Sequence, residues 1–244
     1  MVAKVGFLYP GYSAEDDFPR LEAMLNEAGA DVRLPLVHTD IGTDAHRVDA
    51  LLEMGSVDRL TAVLGELTEG RGVDAVVWAC TSASFVFGFE GAREQVRRLS
   101  AAAGLPASST SFAFARAVAA LGVRRVAVAA TYPEDVAGLF ADFLKAAEIE
   151  VVATRGSGII TAAEVGTWGR EEVLRLARAG DDPGAEAVLL PDTALHSAAW
   201  VAELEAELGK PVLTANQVTV WEGLRLLGHR PVCPPLGTLF AARG

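Results

Sequence analysis

The chain has 244 residues, with 32 acidic and 21 basic side chains, a net charge of −11 and only 2 cysteines. That charge argues against nucleic acid and anionic membrane as partners, and no apolar run reaches the ~18 residues of a membrane span. Two cysteines far apart in the chain make neither a disulfide framework nor a metal knuckle.

The first residues enter a strand-like run with no signal-peptide architecture, so a cytoplasmic protein with free thiols is expected. With 51% hydrophobic residues the chain can bury a full core. In chain order, a strand is predicted over 5–9, ending in Pro10-Gly11, then a helix over 18–28 and a strand over 31–37. A long helix over 48–69 follows, then a strand over 74–79 and a helix over 90–103. The pattern then restarts: strand 125–130, helix 134–147, strand 149–154, helix 170–179, strand 187–190, helix 200–208 and strand 211–214. Short β-branched runs alternating with amphipathic helices are the mark of parallel sheets covered on both faces.

The restart reads as an internal repeat. VGFLYPG and VAVAATYP are both strands ending at a proline turn, VDAVVWACTSAS matches AEAVLLPDTALH, and Gly104-Leu105-Pro106 matches Gly209-Lys210-Pro211. The spacing between partners drifts but their order is kept. The predicted fold is therefore α/β, with two similar halves over 1–111 and 112–220. A C-terminal helix and tail over 221–244 is expected to pack back on the first half. Open parallel sheets bind ligands beyond the carboxyl ends of their strands. Two such halves present those ends to one cleft and make Cys80 and Asp192 mirror-related.

Cys80-Thr81-Ser82-Ala83-Ser84 ends a buried strand. A thiol there, followed by hydroxyls and free backbone N–H groups, suits a nucleophile beside an anion nest that lowers its pKa. It equally suits a buried structural cysteine before a Ser/Thr cap. Asp192 is a general acid/base or a helix N-cap. His196, four residues on, shares its face if a helix starts there, which permits a Cys80–His196–Asp192 triad. The Tyr132 hydroxyl either donates to a carboxylate or packs at a strand end. The loop after the first strand, with Pro10, Gly11, Tyr12 and Ser13, forms another cleft edge. His38, Asp40, Asp44 and His46 have no recognised metal-ligand spacing, and no dinucleotide or P-loop motif is present. Cys233, before two prolines, reads as an incidental thiol.

On VGFLYPG, ACTSASFVFG, ALGVRRVAVAATYPEDV, AVLLPDTAL and VWEGLRLLG…GTLF, the chain resembles the aspartate/glutamate racemase superfamily over nearly its whole length. The branch is the one holding maleate cis-trans isomerases and arylmalonate decarboxylases. The resemblance implies two flavodoxin-like halves, a cleft between them, no cofactor and no metal, and two catalytic positions at mirrored strand ends. Cys80 falls on the first position, a nucleophilic cysteine in the isomerases and glycine in the decarboxylases. Asp192 falls on the second, a cysteine in both. Thr81, Ser82 and Tyr132, with backbone near Thr193, fall on the pocket that grips a substrate carboxylate. Pro10 and Gly11 belong to the first substrate loop, where Ser13 takes the place of an asparagine.

The resemblance therefore implies a cofactor-independent isomerase acting on a small (di)carboxylate by covalent addition of Cys80. A decarboxylase or racemase using Cys80 and Asp192 as an acid/base pair is the first alternative. A Cys-dependent amidohydrolase and a non-catalytic carboxylate-binding paralogue follow. Asp192 would repel a second carboxylate, which points to a protonated Asp192 or to a substrate other than plain maleate. The only partner expected is the small carboxylate; association into homo-oligomers stays open.

Overall fold

The computed structural model describes residues 2–11 and 13–241, so Tyr12 of the first loop and residues 242–244 of the tail lie outside the described residues. In the first half, β1 (Ala3–Tyr9) leads to α1 (Asp17–Glu27), β2 (Val32–Arg33) and β3 (Leu36–His38). Then come α2 (Val48–Met54), α3 (Val57–Ala62), α4 (Leu64–Thr68) and β4 (Ala75–Trp78). The half continues through α5 (Ser82–Phe85), α6 (Gly88–Ala103), β5 (Ala107–Ser109) and α7 (Thr110–Leu121). In the second half, β6 (Arg125–Ala130), α8 (Glu134–Ala146), β7 (Glu150–Gly156) and α9 (Ala162–Val165) precede α10 (Arg170–Gly180). The chain ends with β8 (Ala187–Leu190), α11 (Val201–Leu208), β9 (Val212–Thr214), α12 (Ala215–Leu226) and two 3-10 turns at Pro234–Leu236 and Thr238–Phe240.

All pairings are parallel. The first sheet runs β2-β1-β4-β5, with β3 also beside β1, and the second runs β7-β6-β8-β9. The two orders are the same, so the expected pair of α/β halves is present. The buried runs AVVW of β4 and AVLL of β8 occupy equivalent central places. Gly104 and Gly209 both end a helix in the left-handed region (φ 64° and 66°), where a Cβ is disfavoured. That shared cap is why their sequence contexts match.

Two predicted elements break. The strand over 31–37 splits at Leu34-Pro35, since proline lacks the N–H a ladder needs. The Pro35 carbonyl still accepts from Phe7 N at 2.9 Å, so both pieces stay beside β1. The helix over 48–69 divides into α2, α3 and α4 around Gly55 and Val63. Beyond the expected elements, α7 and the short α5 and α9 appear, and the helix expected from 221 on begins earlier, as α12. α7 and α12 are buried nearly all round and carry no polar stripe to betray a helical period. α12 begins at Ala215, so the division expected between 220 and 221 falls inside a helix. It follows the last strand of the second sheet yet packs on β1, β4 and β5 of the first and on α7. One continuous apolar cluster accordingly takes in Phe7 and Trp78 from one half and Val128 and Leu189 from the other.

Candidate active site

The chain leaves β4 at Trp78 and reaches Cys80 two residues later; it leaves β8 at Leu190 and reaches Asp192 two residues later. Both side chains are buried, each 4% exposed. They line one cavity between the halves, together with Pro10, Gly11, Ser13, Ser82 and Thr193. Thr81 and Tyr132 stand behind this wall.

The turn carrying Cys80 is fixed from below. Gln95 Nε2 donates to the carbonyls of Gly55 (2.7 Å) and Ala83 (2.9 Å), and Ser111 Oγ donates to Thr81 O at 2.8 Å. A Cβ on Gly55 would lie 2.0 Å from Ala83 O, so only glycine lets the α2–α3 corner press against α5. The backbone N–H groups of Ala83 and Ser82 face the Cys80 sulfur, and Ser82 Oγ lies 3.7 Å from it. These groups were expected to lower the thiol pKa. Burial outweighs them, with the Asp192 charge adding to it, and the pKa is pushed up to about 11. The resting site therefore holds a thiol.

No helix starts at Asp192; the chain turns through 191–200 before α11 begins. Asp192 is thus not the cap of a following helix, and His196 does not share a helix face with it. His196 instead contacts Asp16 Oδ1 at 2.8 Å and donates to Gly166 O at 3.0 Å, so the Cys80–His196–Asp192 triad does not form. Asp192 folds back on its own loop, Oδ1 accepting from Ala194 N at 2.9 Å, while Oδ2 accepts a short hydrogen bond from Thr131 Oγ1.

Two tyrosines brace this segment symmetrically. Tyr9, ending β1, donates to Thr193 O at 3.0 Å; Tyr132, just past β6, donates to Pro191 O at 2.8 Å. Burial first, and the neighbouring Asp192 charge with it, holds both phenols well above their ordinary pKa, so they act as neutral donors. The Tyr132 hydroxyl donates to Pro191 O and lies beside Thr81 and Ser82. Thr81 Oγ1 is buried beside the Tyr132 hydroxyl. Ser13 Oγ turns to Ala162 O across the cleft at 3.4 Å.

The residues weighed as a metal cluster scatter. His38 approaches Glu15 (3.8 Å), Asp40 pairs with Arg59, and Asp44 accepts from the N–H groups of Ala162 and Ala163. Among the described residues no group of three His, Cys, Asp or Glu is placed to hold a metal ion. His46 goes into the site instead. Its backbone N–H donates to Ile160 O at 2.6 Å, Nδ1 donates to Ile159 O at 2.9 Å, and Nε2 lies 3.9 Å from Asp192 Oδ2. The ring stands edge-on to Tyr132, centroids 4.7 Å apart. Sequence reasoning missed His46 and Tyr9 as site residues. The only signal was a histidine in a polar loop and a tyrosine at a strand end, and which half each would reach was not legible.

Ile41, Leu51 and Met54 supply an apolar wall, and among the described residues no Lys or Arg lines the cavity. Its empty space is about 380 Å³ with the open solvent at its mouth included, and the bonds from 44–46 to 159–163 join the two halves at its edge.

A family model for arylmalonate decarboxylase matches residues 53–240. An arylmalonate decarboxylase from Bordetella bronchiseptica is 32% identical over 142 residues, 57% of this chain and 59% of that one, so the match spans less than two thirds of that relative. A maleate isomerase from Pseudomonas putida is 26% identical over 182 residues, 72% of each chain. The solved structure of a cysteine-to-alanine variant of the maleate isomerase Iso from Pseudomonas putida S16 with maleate superposes with a TM-score of 0.88 at 25% identity, covering 99% of this chain and 98% of that one.

Proposed function

Since the chain belongs to the arylmalonate decarboxylase family, we propose that it isomerises the double bond of a small unsaturated carboxylate, with Cys80 as nucleophile and Asp192 as its base. The observation that carries this reading is the pair of mirrored strand ends, one bearing a thiol and the other a carboxylate, both lining one cavity.

The chemistry balances within the site. Asp192 takes the Cys80 proton. The sulfur electron pair forms an S–C2 bond to a cis-enedioate-type substrate, and the C2=C3 π pair moves onto the far carboxylate as an enediolate. C2–C3 is then a single bond and rotates. The enediolate collapses, the S–C2 bond returns its pair to sulfur, and Asp192 returns the proton. The hydroxyls of Ser82, Ser13 and Thr81, with backbone N–H groups near Thr193, replace basic side chains in holding the carboxylate. Pro10 and Gly11 shape the first-loop edge, and Tyr132 positions the Asp192 segment through Pro191. The working unit is the two lobes, expected over 1–111 and 112–220, with α12 of the C-terminal segment packed on the first. A reactive thiol of this kind belongs in a reducing compartment, the cytoplasm.

Decarboxylation is the second reading, favoured by the family model and by the apolar Ile41, Leu51 and Met54 wall, which suits an aryl group. The test is a small-acid panel of maleate, its monoamide and arylmalonates followed by NMR in D2O. Isomerisation without deuterium at C2 or C3, abolished in Cys80→Ala, is expected. Loss of CO2 with deuterium at the α-carbon would replace this reading with the second one.

A further inference from the structure

The cavity takes in a buried carboxylate, has no Lys or Arg on its wall among the described residues, and on the reading above must accept an anion. One group on that wall can carry positive charge, and it is His46.

The ring of His46 is fixed by its hydrogen bonds. A carbonyl only accepts, so the 2.9 Å contact with Ile159 O puts a proton on Nδ1. Nε2 then faces Asp192 Oδ2 at 3.9 Å, with both side chains about 95% buried. A bare Nε2 would aim its lone pair at the carboxylate lone pairs, and neither would be compensated in a dry site. One additional proton turns that repulsion into attraction. The contacts of Asp192 say where the proton sits. Oδ1 accepts from Ala194 N, and Oδ2 meets Thr131 Oγ1, whose hydroxyl is free to turn and donate, so both bonds are those an ionised carboxylate makes. The proton therefore belongs on Nε2.

We propose that His46 is an imidazolium paired with an ionised Asp192, and that it acts through Asp192 as a positioning residue and as the cation of the site. This rests on the isomerase reading for its role in turnover, though not for the pair itself. His46 keeps its proton throughout. Asp192, ionised because His46 balances it, accepts the Cys80 proton. The positive charge left on the pair then offsets the negative charge gained by the enediolate. The other groups facing the pair do not compete for that role. Tyr9 and Tyr132 are neutral, Cys80 is a thiol, Asp44 is held by two N–H groups, and the adjacent Arg47 turns outward to Asp49.

The test is ring-nitrogen NMR of the histidines in the full chain, with His46 assigned by His46→Asn. At pH 7.5 wild type should show a His46 ring protonated at both nitrogens, and Asp192→Asn should show the same ring neutral, with its proton on Nδ1. A neutral His46 in wild type, or an unchanged ring in Asp192→Asn, would overturn the proposal. A second arm reads turnover. His46→Asn keeps an N–H for Ile159 O but leaves Asp192 without its cation. Its kcat should drop by about 10²-fold or more at neutral pH and recover as pH rises, because the uncompensated Asp192 must first be ionised. A fall in kcat that stays the same at every pH would make His46 merely structural. If wild type converts no acid in the panel, the isomerase reading fails, while the NMR comparison still decides the pair.

Discussion

Burial keeps Cys80 protonated, and that sets how it behaves without substrate. With its pKa at about 11, the thiolate fraction rises about tenfold per pH unit through the neutral and mildly alkaline range. Alkylation by iodoacetamide should therefore be slow at pH 7 and climb steadily to pH 10, with the signal absent in Cys80→Ala. A rate that levels off near neutrality would mean that the N–H groups of Ser82 and Ala83 win over burial. Sequence could place Cys80 at a strand end beside N–H donors but could not weigh the two, because the depth of burial depends on loops from elsewhere in the chain. Asp192 was legible in the same partial way. Its strand-end position came from the repeat, whereas its bonds to Thr131 and Ala194 and its approach to His46 depend on how three loops close.

At the scale of elements, the first turn of α1 reaches across the cleft and holds the loop behind Asp192. Asp17 Oδ2 accepts from Ser197 N (2.9 Å), Ala198 N (3.1 Å) and Asn216 Nδ2 (3.0 Å), and Asn216 Nδ2 also donates to Thr193 O. Asp17→Ala leaves these buried donors without an acceptor and should cost about 3 kcal/mol in denaturant unfolding. Asp17→Asn keeps an acceptor and should cost less. The pH dependence separates them further. Burial raises the Asp17 pKa above its ordinary value despite the three bonds, so the folded state holds this proton more tightly than the unfolded chain does. Its contribution is then greatest in acid and declines as pH rises from the ordinary carboxylate range through the raised native value. Wild type should lose stability relative to Asp17→Asn over that rise; a gain would reverse the sign argued here. The regular strands and amphipathic helices were readable from their period, as β4, β6, β8 and α10 show. α7, buried nearly all round, was not, and the start of α12 was placed too late, because a helix without a wet face has no period in its polarity.

For the whole molecule, a net charge of −11 opposes the approach of an anion while the site itself is balanced. Salt screens the long-range part of that repulsion, with a Debye length of about 8 Å at physiological ionic strength. Raising salt from low to physiological levels should therefore increase kcat/KM for an anionic substrate a few-fold and leave kcat unchanged. A decrease would point to a positive field at the cleft mouth that the composition does not suggest. The duplicated architecture was visible in the order of its motifs. The copies interlock by the return of the C-terminal helix to the first half, which was expected, but the strands it covers were not legible, because nothing in a linear pattern says which part of a sheet a buried helix will meet.

That interlock has a consequence for biosynthesis. The strands of the first sheet have all been translated once Ser109 is made, yet α12, which packs on β1, β4 and β5, is encoded at Ala215–Leu226. At a translation rate of roughly 5–20 residues per second, that apolar surface waits on the order of 10 s for its cover. The first half is thus finished last, and a nascent chain stalled before residue 215 presents Val5, which α12 covers at Gly223, to whatever chaperone or sticky surface is at hand.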